Sequence, residues 1–309
     1  MNRFAASGVV LAACLLGIAS GWGWAAIDGM ASRGNADPAS AGDLIRVVPP
    51  DDVLAGAAGT DRLALPSDVI LTDRPAFVTV HPGEGWAGLA RRVGVGWDEL
   101  RAANPAAVQG GLQLGAQLRV PQILILPPGT RRGIVVNLAE RRLWLFEDTG
   151  AVRVYPIAVG RGEGWTPLGE TEIVRKRDRP VWVPTPAMRA RDPGLPAFVP
   201  AGAANPLGLH ALDLGWTHYR IHGTNRPASI GRQASAGCIR LYPEHIADLF
   251  ARVATGTPVR VIDVAVKTGQ DDDGAWWIER APGASPGAAG MAERLDPPEA
   301  AAALTAQSG

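Results

Sequence analysis

Cys238 and His222 stand sixteen positions apart in the run Ile221-His222-Gly223-Thr224-Asn225-Arg226-Pro227 to Ser235-Ala236-Gly237-Cys238-Ile239-Arg240-Leu241, and together they can do thiol chemistry. The chain has two cysteines, and the other, Cys14, lies in an apolar N-terminal segment. If that segment is removed, Cys238 has no partner for an internal disulfide. In an oxidising compartment a lone thiol is a liability unless its reactivity is used. A free thiol has a pKa of about 8.5, so little of it is thiolate at neutral pH. It needs a base within hydrogen-bond reach, which can take the proton and hold a thiolate–imidazolium pair. Of the five histidines, His81 is remote, and His245 stands beside Glu244 at a helix start and is expected to face solvent. His210 and His218 fall inside expected strands, whereas His222 ends a strand where the Gly223-Thr224-Asn225 loop begins. A side chain there is presented by a sheet at its rim.

The neighbours of the thiol fit that chemistry. Gly237 lets the backbone turn sharply and lets substrate approach closely. It is also expected to free the N–H groups of Gly237 and Cys238 to face a developing oxyanion. Arg240 suits a substrate carboxylate, with a structural salt bridge as its competing role. Two other motifs carry less. Gly283-Ala284-Ser285-Pro286-Gly287 spells a serine-hydrolase pattern but lacks the preceding strand and following helix that such an elbow requires. His218 and His222 have zinc-ligand spacing, but there is no His-Glu-x-x-His, and a third ligand would have to come from His210 or Asp213. No metal is therefore expected. Lys+Arg and Asp+Glu balance at 30 each with no basic run, so nucleic acid is not an expected partner.

The elements that must hold these residues are mostly strands. Ile134–Leu138 and Arg142–Phe146 flank a hairpin turn at Ala139-Glu140-Arg141, and 152–159 and 171–177 read as further strands. Leu207–Leu214 and His218–His222 follow. Pro243–Val253 reads as a helix with Ile246, Leu249, Phe250 and Val253 on one face, and Pro258–Ile262 closes the series. The fold class expected is mainly β, a mixed β-sandwich over residues 131–265. Before it, Phe77–Val80 is a strand and Pro82-Gly83-Glu84-Gly85 a turn. Trp86, Leu89, Ala90 and Val93 mark a helix, Trp97–Asn104 a second helix stopped by Asn104-Pro105, and Leu118–Val120 a second strand. This gives a small βααβ module over 75–122.

The ends read differently. Met1-Asn2-Arg3, an apolar run from Phe4 to Ile18 and a small-residue exit at Ala25-Ala26 have the parts of a secretory signal, with an uncleaved anchor as the alternative. Leu11-Ala12-Ala13-Cys14 also fits a lipoprotein box, but apolar residues continue past Cys14. Residues 1–26 are thus a signal or anchor, 27–74 a linker, and 266–309 a C-terminal extension, largely disordered apart from an edge strand at Ala275–Glu279.

Two resemblances gather these observations. Val80, Pro82-Gly83-Glu84, Trp86, Leu89-Ala90, Leu100, Ala103-Asn104-Pro105 and Val120-Pro121 resemble a LysM module, which implies binding of glycan strands rich in N-acetylglucosamine. Gly133–Leu138, Thr166-Pro167-Leu168-Gly169, Asn205-Pro206-Leu207-Gly208, Tyr219–Asn225 and Ser235–Leu241, in that order, closely resemble the YkuD-type L,D-transpeptidase domain of the ErfK/YbiS/YcfS/YnhG kind.

That resemblance implies Cys238 as nucleophile, His222 as general base, the Gly223 carbonyl as its orienting partner, and Ser235 as the holder of the cysteine loop. It implies an exported cell-envelope or periplasmic enzyme acting on peptidoglycan tetrapeptide stems without metal or organic cofactor. The acceptor would be another stem's amine, giving a 3→3 cross-link, or the lysine of a wall-anchored lipoprotein. Water as acceptor would make it an L,D-carboxypeptidase or a wall-linkage hydrolase, and a decayed site would leave a non-catalytic wall-binding protein. The family most often has Ser-His-Gly-Cys, and Ala236 replaces that second histidine here; position 236 is expected to contribute backbone only.

Overall fold

A computed structural model describes residues 67–162, 166–284 and 291–296. The signal or anchor segment, most of the expected linker and the chain beyond residue 296 lie outside the described residues. In chain order the structure begins with β1 (Val69–Leu71), β2 (Phe77–Thr79), α1 (Trp86–Arg92), α2 (Trp97–Ala102), α3 (Pro105–Gly110), β3 (Gln117–Arg119) and β4 (Ile123–Ile125). There follow β5 (Gly133–Asn137), β6 (Arg142–Phe146), β7 (Val152–Gly160), β8 (Gly169–Asp178), α4 (Pro186–Arg191), β9 (His210–Leu214) and β10 (Arg220–His222). The last elements are β11 (Gln233–Ser235), β12 (Ile239–Leu241), α5 (Pro243–Arg252), β13 (Pro258–Ile262), β14 (Val266–Gln270), β15 (Trp276–Arg280) and β16 (Ala292–Arg294). Among the described residues no helix is long and apolar enough to cross a membrane.

The larger domain is mainly β, and its two layers share two long strands. The first half of β7, to Pro156, pairs with β6; Ile157 and Ala158 then pair with β12, and Val159 and Gly160 lie beside β11. Pro156 has no N–H to give to a ladder, and it sits where β7 changes partners. β8 does the same, leaving β13 after Glu172 and joining β9 from Ile173 onward, with a register shift between Ile173 and Arg175. The pairing is mixed: β10–β12, β5–β13 and β7–β11 are parallel and the rest antiparallel.

Side-chain alternation fills two cores. Ile134 and Val136 of β5 point inward to meet Ile157, Leu212, Ile221 and Leu241, and α5 closes this core with Ile246 and Leu249. Val135, between them, points to the opposite face with Trp144, Phe146 and Val154. That outer apolar face needs a cover, and each buried aliphatic side chain there stabilises by roughly 1.5–3 kcal/mol. Ile70 of β1 and Leu124 and Leu126, on and after β4, supply it. Residues 67–74, expected as linker, therefore hold a strand, with β1 antiparallel to β4. Within the extension expected to be largely disordered, Val266–Gln270, Trp276–Arg280 and Ala292–Arg294 form the antiparallel sheet β14–β15–β16, with β15 at its centre rather than as a lone edge strand.

In the small module β2 and β3 pair antiparallel around Val78 and Leu118, over a core that includes Leu89, Ala90 and Leu100. Asn104-Pro105 ends α2 as expected but also starts a third helix, because proline at the first helical position loses no hydrogen bond. The Asn104 amide donates to the Leu100 and Arg119 carbonyls and accepts from the Arg119 N–H, tying this corner to β3.

Module, β-domain and C-terminal sheet meet at a buried knot of charge. Glu99 pairs with Arg74 and with Arg142, at 2.9 Å each. Arg142 also reaches Glu140 at 3.2 Å and pairs with Glu279. Lys267 closes the set on Glu140 at 2.6 Å and Glu279 at 3.0 Å. All six side chains are 2–3 % exposed. Burial alone would raise the Glu99 and Glu279 carboxyls, but the adjoining cations hold both below the usual range, Glu279 at about 2.

Candidate active site

The sheet brings His222 and Cys238 together. β10 lies between β9 and β12, with His222 opposite Ala211 on one side and Arg240 on the other. Cys238 is the residue that leads into β12. His222, Ser235, Ala236, Cys238 and Arg240 line one cavity of about 480 Å³. Arg177 of β8, Arg191 of α4 and Arg220 of β10 line it too, and no carboxylate is among its lining residues.

The cysteine loop is fastened at three points. The Ser235 hydroxyl donates to the Cys238 carbonyl at 2.5 Å and accepts from the Gly237 N–H at 3.1 Å. Thr166 donates to the Gly237 carbonyl at 2.9 Å. Gly237 has φ 111°, a conformation that side chains of L residues rarely adopt, so the turn needs glycine. Ser235 thus bridges the Gly237 N–H and the Cys238 carbonyl. The Gly237 N–H is given to Ser235, so it is not free for an oxyanion.

His222 is set up as a neutral base. It is buried, not rim-exposed as its place at a strand end suggested, on a strand flanked on both sides by β9 and β12. Its Nδ1 lies 2.6 Å from the Gly223 carbonyl. A carbonyl can only accept, so Nδ1 carries the hydrogen and Nε2 keeps its lone pair. Burial, reinforced by the charge of Arg240, lowers the His222 pKa to about 3 even though the Gly223 carbonyl opposes the shift. Burial likewise holds the Cys238 thiol above its ordinary range, against the pull of Arg220 and Arg240. The resting site therefore holds neutral thiol and neutral imidazole, not the ion pair expected from sequence. The thiol donates to the His218 carbonyl, 3.6 Å away.

Arg240 makes one hydrogen bond, to the Ala234 carbonyl at 3.3 Å, and its Nε is buried without a partner. Among the described contacts it has no salt bridge, which leaves a guanidinium available at the cavity. Ala236 sits exposed at the rim with only a methyl group. Arg177 and Arg220 are partly neutralised: each donates to Asp213 at 2.7 Å, as does Arg175. Burial would raise Asp213, and these arginines hold it below the usual range. Sequence reasoning did not single out Arg177, Arg191, Arg220 or Thr166. Thr166 lay in a matched motif without a role, and Arg177 and Arg220, 43 positions apart, converge only through the β8–β9–β10 pairing.

The remaining histidines take other places. His245 is buried, with its ring edge-on to Tyr155 and Tyr242 at centroid distances of 5.7 and 5.3 Å, so the expected solvent-facing position is corrected. Its helical spacing from Leu249 turns it inward despite Glu244. His218 is not in a strand; it is in the turn before β10, at φ 72°. Among the described residues no three His, Cys, Asp or Glu side chains group as a metal-ligand set.

Known proteins resemble this chain. Residues 131–261 match the YkuD family model, described as an L,D-transpeptidase catalytic domain. The chain is 44% identical over 196 residues to "Probable L,D-transpeptidase ErfK/SrfK" of Escherichia coli, covering 62% of this chain and 63% of that protein. It is 42% identical to "Probable L,D-transpeptidase YbiS" of the same organism, covering 60% and 62%. With "Probable L,D-transpeptidase YcfS", also of Escherichia coli, it shares 38% identity over 235 residues, covering 73% of each chain. The match thus spans a little under two thirds of the ErfK/SrfK and YbiS relatives and nearly three quarters of YcfS. On these matches the chain belongs to the YkuD family of L,D-transpeptidases.

Proposed function

We propose that the protein is a cysteine-dependent L,D-transpeptidase acting on tetrapeptide stems of peptidoglycan in the cell envelope. The observation that carries this reading is the convergence of Cys238 and a neutral, oriented His222 in a cavity with four guanidiniums and no carboxylate. In the first half-reaction the Cys238 proton passes to His222 Nε2 as sulfur attacks the carbonyl of the third stem residue. The tetrahedral oxyanion forms beside the Cys238 N–H, the donor left once Gly237 is tied to Ser235. Collapse breaks the amide, D-Ala leaves with the proton from imidazolium His222, and a thioester remains. In the second half-reaction an acceptor amine attacks the thioester and gives its proton to Nε2, and the thiol is regenerated. No metal or organic cofactor enters either step, since thiol and base move every proton and bond.

Several features support a stem peptide as donor. Such stems carry free carboxylates, and Arg240 and Arg191 meet them without neutralisation by a protein acid. The excess positive charge also favours an acceptor amine in its neutral, nucleophilic form over its ammonium. The LysM-like module would raise the local concentration of donor by holding glycan strands. Incubation with tetrapeptide muropeptides, read by mass spectrometry, tests the reading. Cross-linked dimers with loss of D-Ala are expected; tripeptide alone would make the protein a carboxypeptidase, and unchanged tetrapeptide would remove the proposal.

A further inference from the structure

We infer that the small βααβ module positions the thiol loop, acting through Trp97 on the segment Ile230–Arg232. The inference rests on Cys238 being the nucleophile. Residues 223–232 run from His222 to β11, and β11 ends at Ser235, the residue that fastens the Cys238 loop. On its inner side this segment is tied to β7: the Gly231 N–H donates to Ile157 at 2.9 Å, and Arg232 accepts from Val159 at 3.2 Å. It also meets the start of α2, with the Trp97 and Asp98 N–H groups donating to the Ile230 and Gly231 carbonyls at 3.3 and 3.4 Å.

The contact is too close for any residue but glycine at 231. A Cβ on Gly231 would stand 2.0 Å from the Trp97 nitrogen, and φ there is 84°. Next to it the Arg232 guanidinium lies 3.5 Å from the centroid of the Trp97 ring, and Arg101 lies 4.0 Å from the same ring. The Arg232 Nε is buried without a hydrogen-bond partner, so the indole is what holds that side chain in place.

Attachment of the module does not depend on this contact. The buried knot around Glu99 and Arg142, the Arg91–Glu244 pair at 2.7 Å and the Arg141–Asp98 pair at 3.2 Å already join module to β-domain. Trp97 is only partly buried and is not among the core residues of the module. Its distinctive partner is the segment that leads to Ser235 and Cys238. Trp97 and Arg232 are thus positioning residues, acting through the loop and not on substrate.

The test uses the full chain carrying Cys14→Ser, so that Cys238 is its one thiol. Trp97→Ala is expected to lower kcat on muropeptide about tenfold with KM within twofold, and to slow alkylation of Cys238 by iodoacetamide severalfold. Trp97→Phe, which keeps a ring for the guanidinium, should restore most of both rates, and Arg232→Ala should repeat the loss from the other side. The melting temperature of each variant should stay within a few degrees of the parent. Wild-type kcat and alkylation in Trp97→Ala would overturn the inference, as would equal losses in Trp97→Ala and Trp97→Phe that track the melting temperature. If the parent itself does not turn over muropeptide, the proposed function fails, and the alkylation rates still decide the positioning role.

Discussion

The molecule concentrates charge in two places and treats it in opposite ways. At the junction of module, β-domain and C-terminal sheet, Arg74, Arg142 and Lys267 are matched by Glu99, Glu140 and Glu279, all buried. In the cavity beside Cys238 no carboxylate is in the lining: Arg177 and Arg220 share the one carboxylate of Asp213, while Arg191 and Arg240 have no salt bridge among the described residues. Desolvation explains the contrast. Charges taken fully out of water must be paired, because an unpaired one costs several kcal/mol. Guanidiniums at an open cavity keep some water and can exchange it for a substrate anion. A saturated cluster holds segments together, and an unsaturated one is free to bind.

Substitutions can break this division, and the largest effects belong to the thiol pair. Cys238→Ala should lower acyl transfer by about 10⁴-fold or more, as loss of a nucleophile does elsewhere. His222→Ala should cost about 10²–10⁴-fold, the range for a general base. Steady-state rates and thermal melts check both, with the melt of Cys238→Ala unchanged. Because imidazole is already neutral near pH 4 and the thiol is held above its usual range, neither group should produce an acid limb in the rate between about pH 5 and 7. A rate that falls through a pKa near 6.5 would show that His222 is more exposed to water than the structure has it.

The knot should behave in reverse. Glu99→Ala leaves Arg142 and Arg74 buried with one partner fewer, and should destabilise by roughly 3–5 kcal/mol in denaturant titrations. Activity per folded molecule should be retained. Loss of activity without loss of stability would place Glu99 in the site and dissolve the distinction. Arg240→Ala is predicted to raise KM for the donor by about tenfold or more, from loss of a charge-assisted bond of roughly 1.5–3 kcal/mol, with little change in stability.

A smaller effect concerns His245. Burial lowers its pKa to about 4, so the folded state excludes a proton that the unfolded chain binds below about 6.5. Its contribution to stability is complete above about pH 6.5 and declines as pH falls toward 4, at about 1.4 kcal/mol per pH unit at most. His245→Phe, which keeps the ring between Tyr155 and Tyr242, should flatten that part of the stability–pH curve.

Much of the β-domain was legible because its strands are long and two-sided. The apolar runs at Ile134–Leu138 and Leu143–Phe146 announce strands buried on both faces, and the order of motifs around His222 and Cys238 picks out two residues that line one cavity. The same runs imply a second apolar face. Val135, Trp144 and Phe146 on the outer face require a cover, and the β1 and β4 segments provide it, with Lys267 of β14 over the Trp144 ring. Those strands are three to five residues long and set among Gly, Asp and Pro, so local pattern reads them as linker and tail. Apart from Arg240, the arginines of the cavity and those of the knot were not legible for another reason. They are spread along the chain and come together only through sheet pairing. The Gly237 N–H illustrates a finer limit: residue type allows an oxyanion donor, and only geometry shows that Ser235 already has it.

Everything proposed for the site turns on the stem peptide becoming a thioester on Cys238. Intact-protein mass spectrometry of the chain mixed with a tetrapeptide donor, quenched in acid and followed by peptide mapping, tests this step. A tripeptide-stem adduct, lighter than the donor by D-Ala, is expected on the peptide that contains Cys238, and no adduct in Cys238→Ala. An adduct on another residue, or D-Ala release by Cys238→Ala at the parent rate, would contradict it.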